Sequence, residues 1–217
     1  MTAYCGERNE MVGYVPPGAR RVLDVGCGNG SFGRELRSRR PGLSLWAVEP
    51  DGDGVAAARG SGAYERVVLG GYPGVIGELP GGYFDCVFFN DVLEHLVEPG
   101  QALAATRSLL APRGRVVASI PNVRCLDVVK PLVVSGDWRY EDYGLLDRTH
   151  LRFFTRSSMC RLFDEHGYEV ASVEGIHRKS GRAIGLLDAV LGRRLDEFLF
   201  QQFVVVGLVA GTPVDHR

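Results

Sequence analysis

The run Val22-Leu23-Asp24-Val25-Gly26-Cys27-Gly28-Asn29-Gly30 constrains this chain more than any other stretch. It reads as a buried β-strand that ends in a glycine-rich turn leading into a helix. Asp24 lies within the strand, two residues before the first glycine. A dinucleotide turn brings backbone N–H groups and a helix N-terminus up to a pyrophosphate, and a carboxylate pointing into that turn would repel it. The spacing Gly28-x-Gly30-x-x-Gly33 does satisfy the dinucleotide pattern, but a lone match of that kind discriminates weakly. An acid about 20 residues further on, here Glu49, suits any cofactor with a ribose diol and does not choose between them.

At 217 residues the chain is sized for one substantial core, so a single domain over residues 1–217 is expected. Hydrophobic residues at 45% and charged residues at 24% leave no compositional case for disorder. A formal net charge of −1 argues against a nucleic-acid partner held through phosphates. The five cysteines lie far apart with no C-x-x-C pair, which excludes a zinc knuckle or disulfide framework and fits a reduced, cytoplasmic setting. No targeting segment is recognisable, and no apolar run reaches the ~20 residues that cross a bilayer. The expected partner is a small molecule, with no membrane and no nucleic acid; composition leaves the oligomeric state open.

Strand and helix signals alternate from Arg21 onward, which implies crossover connections and an α/β, doubly wound, mostly parallel sheet of seven strands. Strands are expected at Val22–Val25, Leu43–Val48, Val67–Leu69, Phe84–Phe89, Arg115–Ile120, Glu169–Val173 and Gln202–Val209. Helices are expected at Phe32–Arg39, Gly52–Arg59, Gln101–Leu110, Ser157–His166 and Ile184–Leu191, with Thr155 as the cap of the fourth. Between Pro121 and Thr155 the alternation lapses, and aromatics including Trp138, Tyr140, Tyr143, Phe153 and Phe154 are interleaved with charges. So long a stretch without clear elements suggests a functional insertion, read here as a substrate cap over residues 121–155. The first 20 or so residues read as a lid or loose arm.

The glycine run resembles motif I of the class I S-adenosylmethionine (SAM)-dependent methyltransferases. SAM has no phosphate, and its ammonium and sulfonium suit a carboxylate beside bare backbone. Phe84-Asp85-Cys86-Val87 resembles that family's fourth-strand signature, and Leu109-Leu110-Ala111-Pro112-Arg113-Gly114 its turn before the fifth strand. The resemblance covers nearly all the chain after Arg20 and implies a Rossmann-like sheet with an antiparallel last strand. It also implies a cofactor site of Asp24, Gly26, Cys27, Gly28, Asn29, Gly30, Glu49, Pro50, Asn90 and Asp91, with Glu49 on the ribose hydroxyls. Many relatives place an acid after the third strand for the adenine amine. Here Leu69-Gly70-Gly71-Tyr72 stands instead, leaving adenine to backbone groups, to Tyr72, or to no specific contact.

Asn90-Asp91-Val92-Leu93-Glu94-His95 follows the fourth strand and resembles two things at once. One is a local packing arrangement found in methyltransferases with unrelated substrates. The other is the E-x-x-E-H metal cluster of ubiquinone-biosynthesis and small-RNA methyltransferases, with Asp91, Glu94, His95 and a later His150 as ligands for Mg²⁺ or Mn²⁺. In a metal-free site, His95 or His150 would be the general base. The block Leu145 to Thr155 resembles one in a subgroup of small-molecule methyltransferases. Asp147, Arg148 and Arg152 within it read as an ion-pair network pinning the cap.

Methyl transfer from SAM to a hydroxyl oxygen of a sugar or secondary metabolite is the favoured function. An alcohol has to lose a proton as the new bond forms, and two histidines stand ready to take it. The alternatives are N- or C-methylation, RNA methylation, a nicotinamide-dependent oxidoreductase, and a SAM-binding protein without turnover.

Overall fold

In the computed structural model, which describes residues 8–179 and 196–211, the apolar runs pair into one seven-stranded sheet of order β3-β2-β1-β4-β5-β7-β6. The strands are β1 (Arg21–Val25), β2 (Ser44–Glu49), β3 (Arg66–Leu69), β4 (Phe84–Asn90), β5 (Leu110–Pro121), β6 (Tyr168–Arg178) and β7 (Phe200–Val209). The first five are mutually parallel, and β7 runs antiparallel to both β5 and β6.

β4 is the centre because it tolerates no water on either face. Phe84, Cys86, Val87, Phe88 and Phe89 are all fully buried, each phenylalanine contributing about 1.5–3 kcal/mol of burial. The strand period of two divides these residues between layers. Val87 and Phe89 join Leu23, Val25, Leu103 and Met159 on one face, while Cys86 and Phe88 join Val22, Phe32 and Leu36 on the other. The one charge in the strand, Asp85, accepts the Arg20 and Arg21 backbone N–H groups at 2.9 and 3.0 Å and the Arg21 guanidinium at 3.0 Å. Burial works to raise its pKa, but these donors together hold it below the ordinary carboxylate value.

Helices α1 (Ser31–Arg39), α2 (Gly52–Gly60), α3 (Pro99–Thr106) and α5 (Arg156–Glu165) match expected segments, and α4 (Leu126–Ser135) does not. Thr155 forms a capping box with Ser158 at the start of α5. α3 begins earlier and ends earlier than expected. Pro99 needs no N–H partner in the first turn, and Leu110 has already left the helix to pair with Phe84 at the start of β5.

Two expectations are corrected. The segment 121–155 is not without regular structure, because α4 occupies its first part; Pro131 inside the helix and its β-branched valines hid the signal. Residues 8–20 are not a loose arm: a 3₁₀ helix, Asn9–Tyr14, puts Met11 fully in the core and packs on α1. Arg8 pairs with Asp91, and Tyr14 donates to Glu174 at 2.9 Å. Four described cysteines are free thiols. Cys5, His216 and the helix expected at Ile184–Leu191 lie outside the described residues.

Candidate active site

β1 lies between β2 and β4, where strand order reverses, so a crevice opens beyond the carboxyl ends of these three strands. The glycine turn lines it. Gly26 and Cys27 both donate to the Val48 carbonyl, at 2.8 and 3.3 Å. Gly26 has φ +73°, and a Cβ there would stand 2.5 Å from Cγ2 of Val92; only a glycine allows the loop after β4 to close on the turn. Gly30, at φ +77°, caps α1 with no side-chain bond, while Asn29 accepts from Ser31 N–H at 3.1 Å.

Glu49, 7% exposed at the end of β2, accepts from Gly28 N–H at 2.8 Å with one oxygen and from Asp51 N–H at 3.1 Å with the other. Each oxygen retains a lone pair for a further donor. Pro50 follows it, exposed at the strand end. These residues come together as expected.

Asp24 is 3% exposed, and its Oδ2 accepts the Tyr64 hydroxyl at 2.5 Å. Burial, reinforced by nearby Glu49 and opposed by the Tyr64 hydrogen bond, pushes its pKa up to about 7. It does not cap α1, whose N-cap is Gly30. Beside Asp24, the buried Asn90 amide lies near enough to the carboxyl to favour its ionised form, yet neither amide atom makes a hydrogen bond of good geometry. In a folded protein such a pair calls for a ligand or water to complete it. Tyr72 is not available to adenine. It is 7% exposed, stacked edge-on against Phe89, with its hydroxyl 2.6 Å from Thr106 Oγ1 in the core.

After β4 the chain turns at Asp91, with φ +52°, into a 3₁₀ turn, Leu93–His95. The Leu145–Thr155 block docks here. Leu151 and Arg152 N–H both donate to the Glu94 carbonyl, at 2.8 and 3.0 Å. Glu94, His95 and His150 therefore converge, each offering an atom within 4.8 Å of the others. The imidazole centroids are 4.7 Å apart and nearly perpendicular, and His150 Nε2 is 4.0 Å from Glu94 Oε1. His95 Nδ1 faces the Thr149 carbonyl at 3.3 Å and its hydroxyl at 3.2 Å, while His150 Nδ1 faces the Leu145 carbonyl at 3.3 Å.

Glu94 is 1% exposed with both carboxylate oxygens unpartnered, and burial pushes its pKa up to about 8. Burial and the neighbouring His95 lower the pKa of His150 below the ordinary histidine value. A buried neutral imidazole beside an uncompensated carboxyl can take a proton or hold a cation.

Asp91 does not belong to that cluster, contrary to the four-ligand expectation. Its carboxylate is engaged by Arg8, by Gln202 Nε2 at 3.0 Å and by Ser119 Oγ at 3.2 Å. The expected ion-pair network is also different in detail. Arg152 reaches the Val97 carbonyl at 2.9 Å and Glu98 at 3.5 Å, tying the segment 121–155 to the β4–α3 connection. Arg148 pairs within that segment with Asp142 at 2.9 Å, and Asp147 holds the Thr149 N–H and hydroxyl at 2.7 and 2.6 Å. His166 packs at the end of α5 and His177 meets Glu10 at 3.3 Å, both apart from the cluster.

Two functional neighbours were missed in the sequence. Tyr64 has no motif around it, and Arg8 sits in a segment without helical or strand period. Asn122, at the start of the segment 121–155, is fully buried and ties it to the start of β7 and the turn of helix before it, its Nδ2 donating to the Phe200 and Glu197 carbonyls at 2.9 and 2.7 Å.

Residues 2–173 match the family model described as Methyltransferase domain. A ubiquinone biosynthesis O-methyltransferase of Aeromonas salmonicida is 26% identical over 163 residues, 73% of this chain and 66% of that protein. One of Caulobacter sp. is 30% identical over 113 residues, 51% of this chain and 44% of that protein. The chain thus spans two thirds or less of the length of these curated relatives. Among solved structures, a SAM-dependent methyltransferase from Archaeoglobus fulgidus superposes with a TM-score of 0.65 at 21% identity, covering 88% of this chain and 86% of that one. With its seven-stranded sheet and glycine turn, the chain belongs to the methyltransferase-domain family and has the fold of the class I SAM-dependent methyltransferases.

Proposed function

We propose that this protein transfers a methyl group from SAM to a hydroxyl oxygen of a small molecule, a sugar or secondary metabolite being the acceptor class. The observation that carries the reading is the Glu94, His95 and His150 cluster, formed where the Leu145–Thr155 block docks on the loop after β4, whose Val92 lies against Gly26 of the glycine turn. The family assignment leaves a nicotinamide cofactor no support. Relatives named O-methyltransferases favour oxygen as the acceptor atom.

The donor set fits SAM. Glu49 has lone pairs free for two ribose hydroxyls, and the Asn90 amide beside Asp24 offers a donor and an acceptor at the same edge. Asp24 supplies negative charge beneath the turn, acting on the ammonium directly or through water. SAM brings a methyl group that is already activated, so the protein has two tasks: alignment, and removal of the acceptor proton. His150, neutral at pH 7 because burial and His95 lower its pKa, accepts that proton at a ring nitrogen. His95, fixed by Thr149, orients it. Calorimetry with SAM and with NAD tests the cofactor; tight binding of NAD and none of SAM would overturn it. Isotope-labelled SAM offered with matched hydroxyl and amine acceptors tests the atom, and label found only on nitrogen would overturn the oxygen assignment.

A second reading is favoured by the unpartnered Glu94 oxygens: Glu94, His95 and His150 would hold Mg²⁺ or Mn²⁺, keeping Glu94 ionised and the acceptor oxygen activated. Activity lost in EDTA and restored by either ion supports it. Indifference to EDTA leaves the metal-free base.

A further inference from the structure

We propose that Tyr64 is a positioning residue for the cofactor turn, its hydroxyl fixing Asp24 and its ring setting the shape of the Gly30–Gly33 segment. The inference rests on the assignment of this turn to SAM and goes beyond it in naming what holds the turn in place.

Tyr64 lies on the approach to β3, anchored by Glu65 N–H on the Leu45 carbonyl at 2.8 Å. From there it crosses beneath the turn to reach an acid 40 residues earlier. Its ring packs with Cys27, Ala47, Val55, Ala58 and Val67, the small cluster between α2 and the turn. The glycines are shaped around that ring. A Cβ on Gly33 would stand 2.2 Å from Tyr64 Cζ and 2.4 Å from its hydroxyl oxygen, and one on Gly30 would stand 3.1 Å from Cε2. The third glycine of the Gly28-x-Gly30-x-x-Gly33 pattern is thus explained without a pyrophosphate: it makes room for an aromatic ring that carries a hydrogen bond to the strand acid.

The hydroxyl also governs the charge of Asp24. The ionisable groups facing that carboxyl are Glu49 from β2, the Cys27 thiol of the turn and Tyr64 itself, with the Asn90 amide from β4 alongside. Burial and Glu49 favour the neutral acid, while the Tyr64 donor and, more weakly, the Asn90 amide favour the carboxylate. Removing the donor leaves Asp24 protonated to a higher pH, and a neutral Asp24 no longer attracts an ammonium.

Tyr64→Phe keeps the ring and removes the hydroxyl; Tyr64→Leu removes both. In calorimetry at pH 7, Tyr64→Phe should bind SAM about 3–10-fold more weakly, the scale of one lost hydrogen bond, in a protein that stays folded with a thermal midpoint lower by a few degrees. Its SAM affinity should also begin to fall at a higher pH than in the parent protein. Equal affinity and an unchanged pH profile would overturn the proposal. Carbon-13 NMR titration of Asp24 in the ligand-free protein reads the same link without SAM, and the Asp24 pKa should rise in Tyr64→Phe. If the parent protein fails to bind SAM while that rise is seen, the cofactor assignment fails and the Tyr64–Asp24 link stands; no rise sinks the link itself. The packing half is read by Gly33→Ala, which should lower the thermal midpoint by about 2–4 °C or more in the parent and much less in Tyr64→Leu. Equal losses in both backgrounds would remove the ring from the account.

Discussion

The proposed cofactor side is built from strand ends that are neighbours in the sheet, and most of its polar groups already have partners within the fold: Glu49 accepts Gly28 and Asp51 N–H groups, Gly26 and Cys27 donate to Val48, and Asp24 accepts the Tyr64 hydroxyl. The acceptor side is built from two loops distant in sequence. His95 meets Thr149 across 54 residues of chain, and Glu94 ends buried with neither oxygen paired. Leaving such a group unsatisfied costs about 1–3 kcal/mol, so natural structures keep one where a ligand or ion completes it. On the proposed function the two sides would do different work: a largely preformed frame for SAM, and an incomplete cluster satisfied only with what it acts upon.

If that division holds, variants on the acceptor side separate turnover from cofactor affinity. His150→Ala and His95→Ala should each lower turnover by about 10²-fold or more, while SAM affinity by calorimetry stays within a few-fold. The wild-type pH profile sharpens the point. Because His150 has a lowered pKa, it remains an unprotonated base through neutral pH. At saturating SAM, where Asp24 protonation does not limit binding, turnover should therefore fall as pH drops below the ordinary histidine range of about 6.5. Near-normal turnover in both variants with the true acceptor would leave alignment as the source of catalysis and break the comparison at its acceptor half.

The cofactor half is tested by Glu49→Ala, which should weaken SAM binding by about 1.5–3 kcal/mol, the range for hydrogen bonds to a charged acceptor. The fold should persist, because Glu49 ends a strand beside solvent-exposed Pro50 rather than filling the core. Unchanged SAM affinity would detach Glu49 from the ribose.

The same contrast explains what could be read in the sequence. β1, β4 and the glycine turn carry local signals: a strand period, three glycines with left-handed φ, an acid at a fixed offset. Glu94 and His95 stand together in the chain, and the Leu145–Thr155 block pointed to His150. What lay beyond reach depended on tertiary placement. Asp91 has the right spacing for a ligand, yet Arg8, from the N-terminal 3₁₀ segment, and Gln202, from β7, claim its carboxylate. Tyr72, one of the alternatives for adenine, has its ring in the core against Phe89 and its hydroxyl on Thr106, contacts that no linear motif announces. α4 was obscured by Pro131, and its exposed Leu132, Val133 and Val134 lack the one-sided pattern that marks a packed helix. Tyr64 acts through a side chain that no linear motif connects to Asp24.

The smallest expected effect concerns the cap, where Trp138 stacks edge-on against Phe153 at 5.2 Å, and Phe153 stands 6.3 Å from His150. An aromatic pair of this geometry is worth about 0.5–1.5 kcal/mol beyond its burial. Trp138 reaches the cluster through Phe153, so Trp138→Ala should loosen the wall beside His150 without reaching the glycine turn. The expected outcome is an acceptor KM raised about 2–10-fold, by that energy, with SAM affinity unchanged and the thermal midpoint only slightly lowered. A KM effect alone would show that the aromatic residues of the segment 121–155 face the acceptor. Loss of SAM binding in a protein that stays folded would instead join this segment to the cofactor frame, and the boundary between the two sides would have to be redrawn through Phe153.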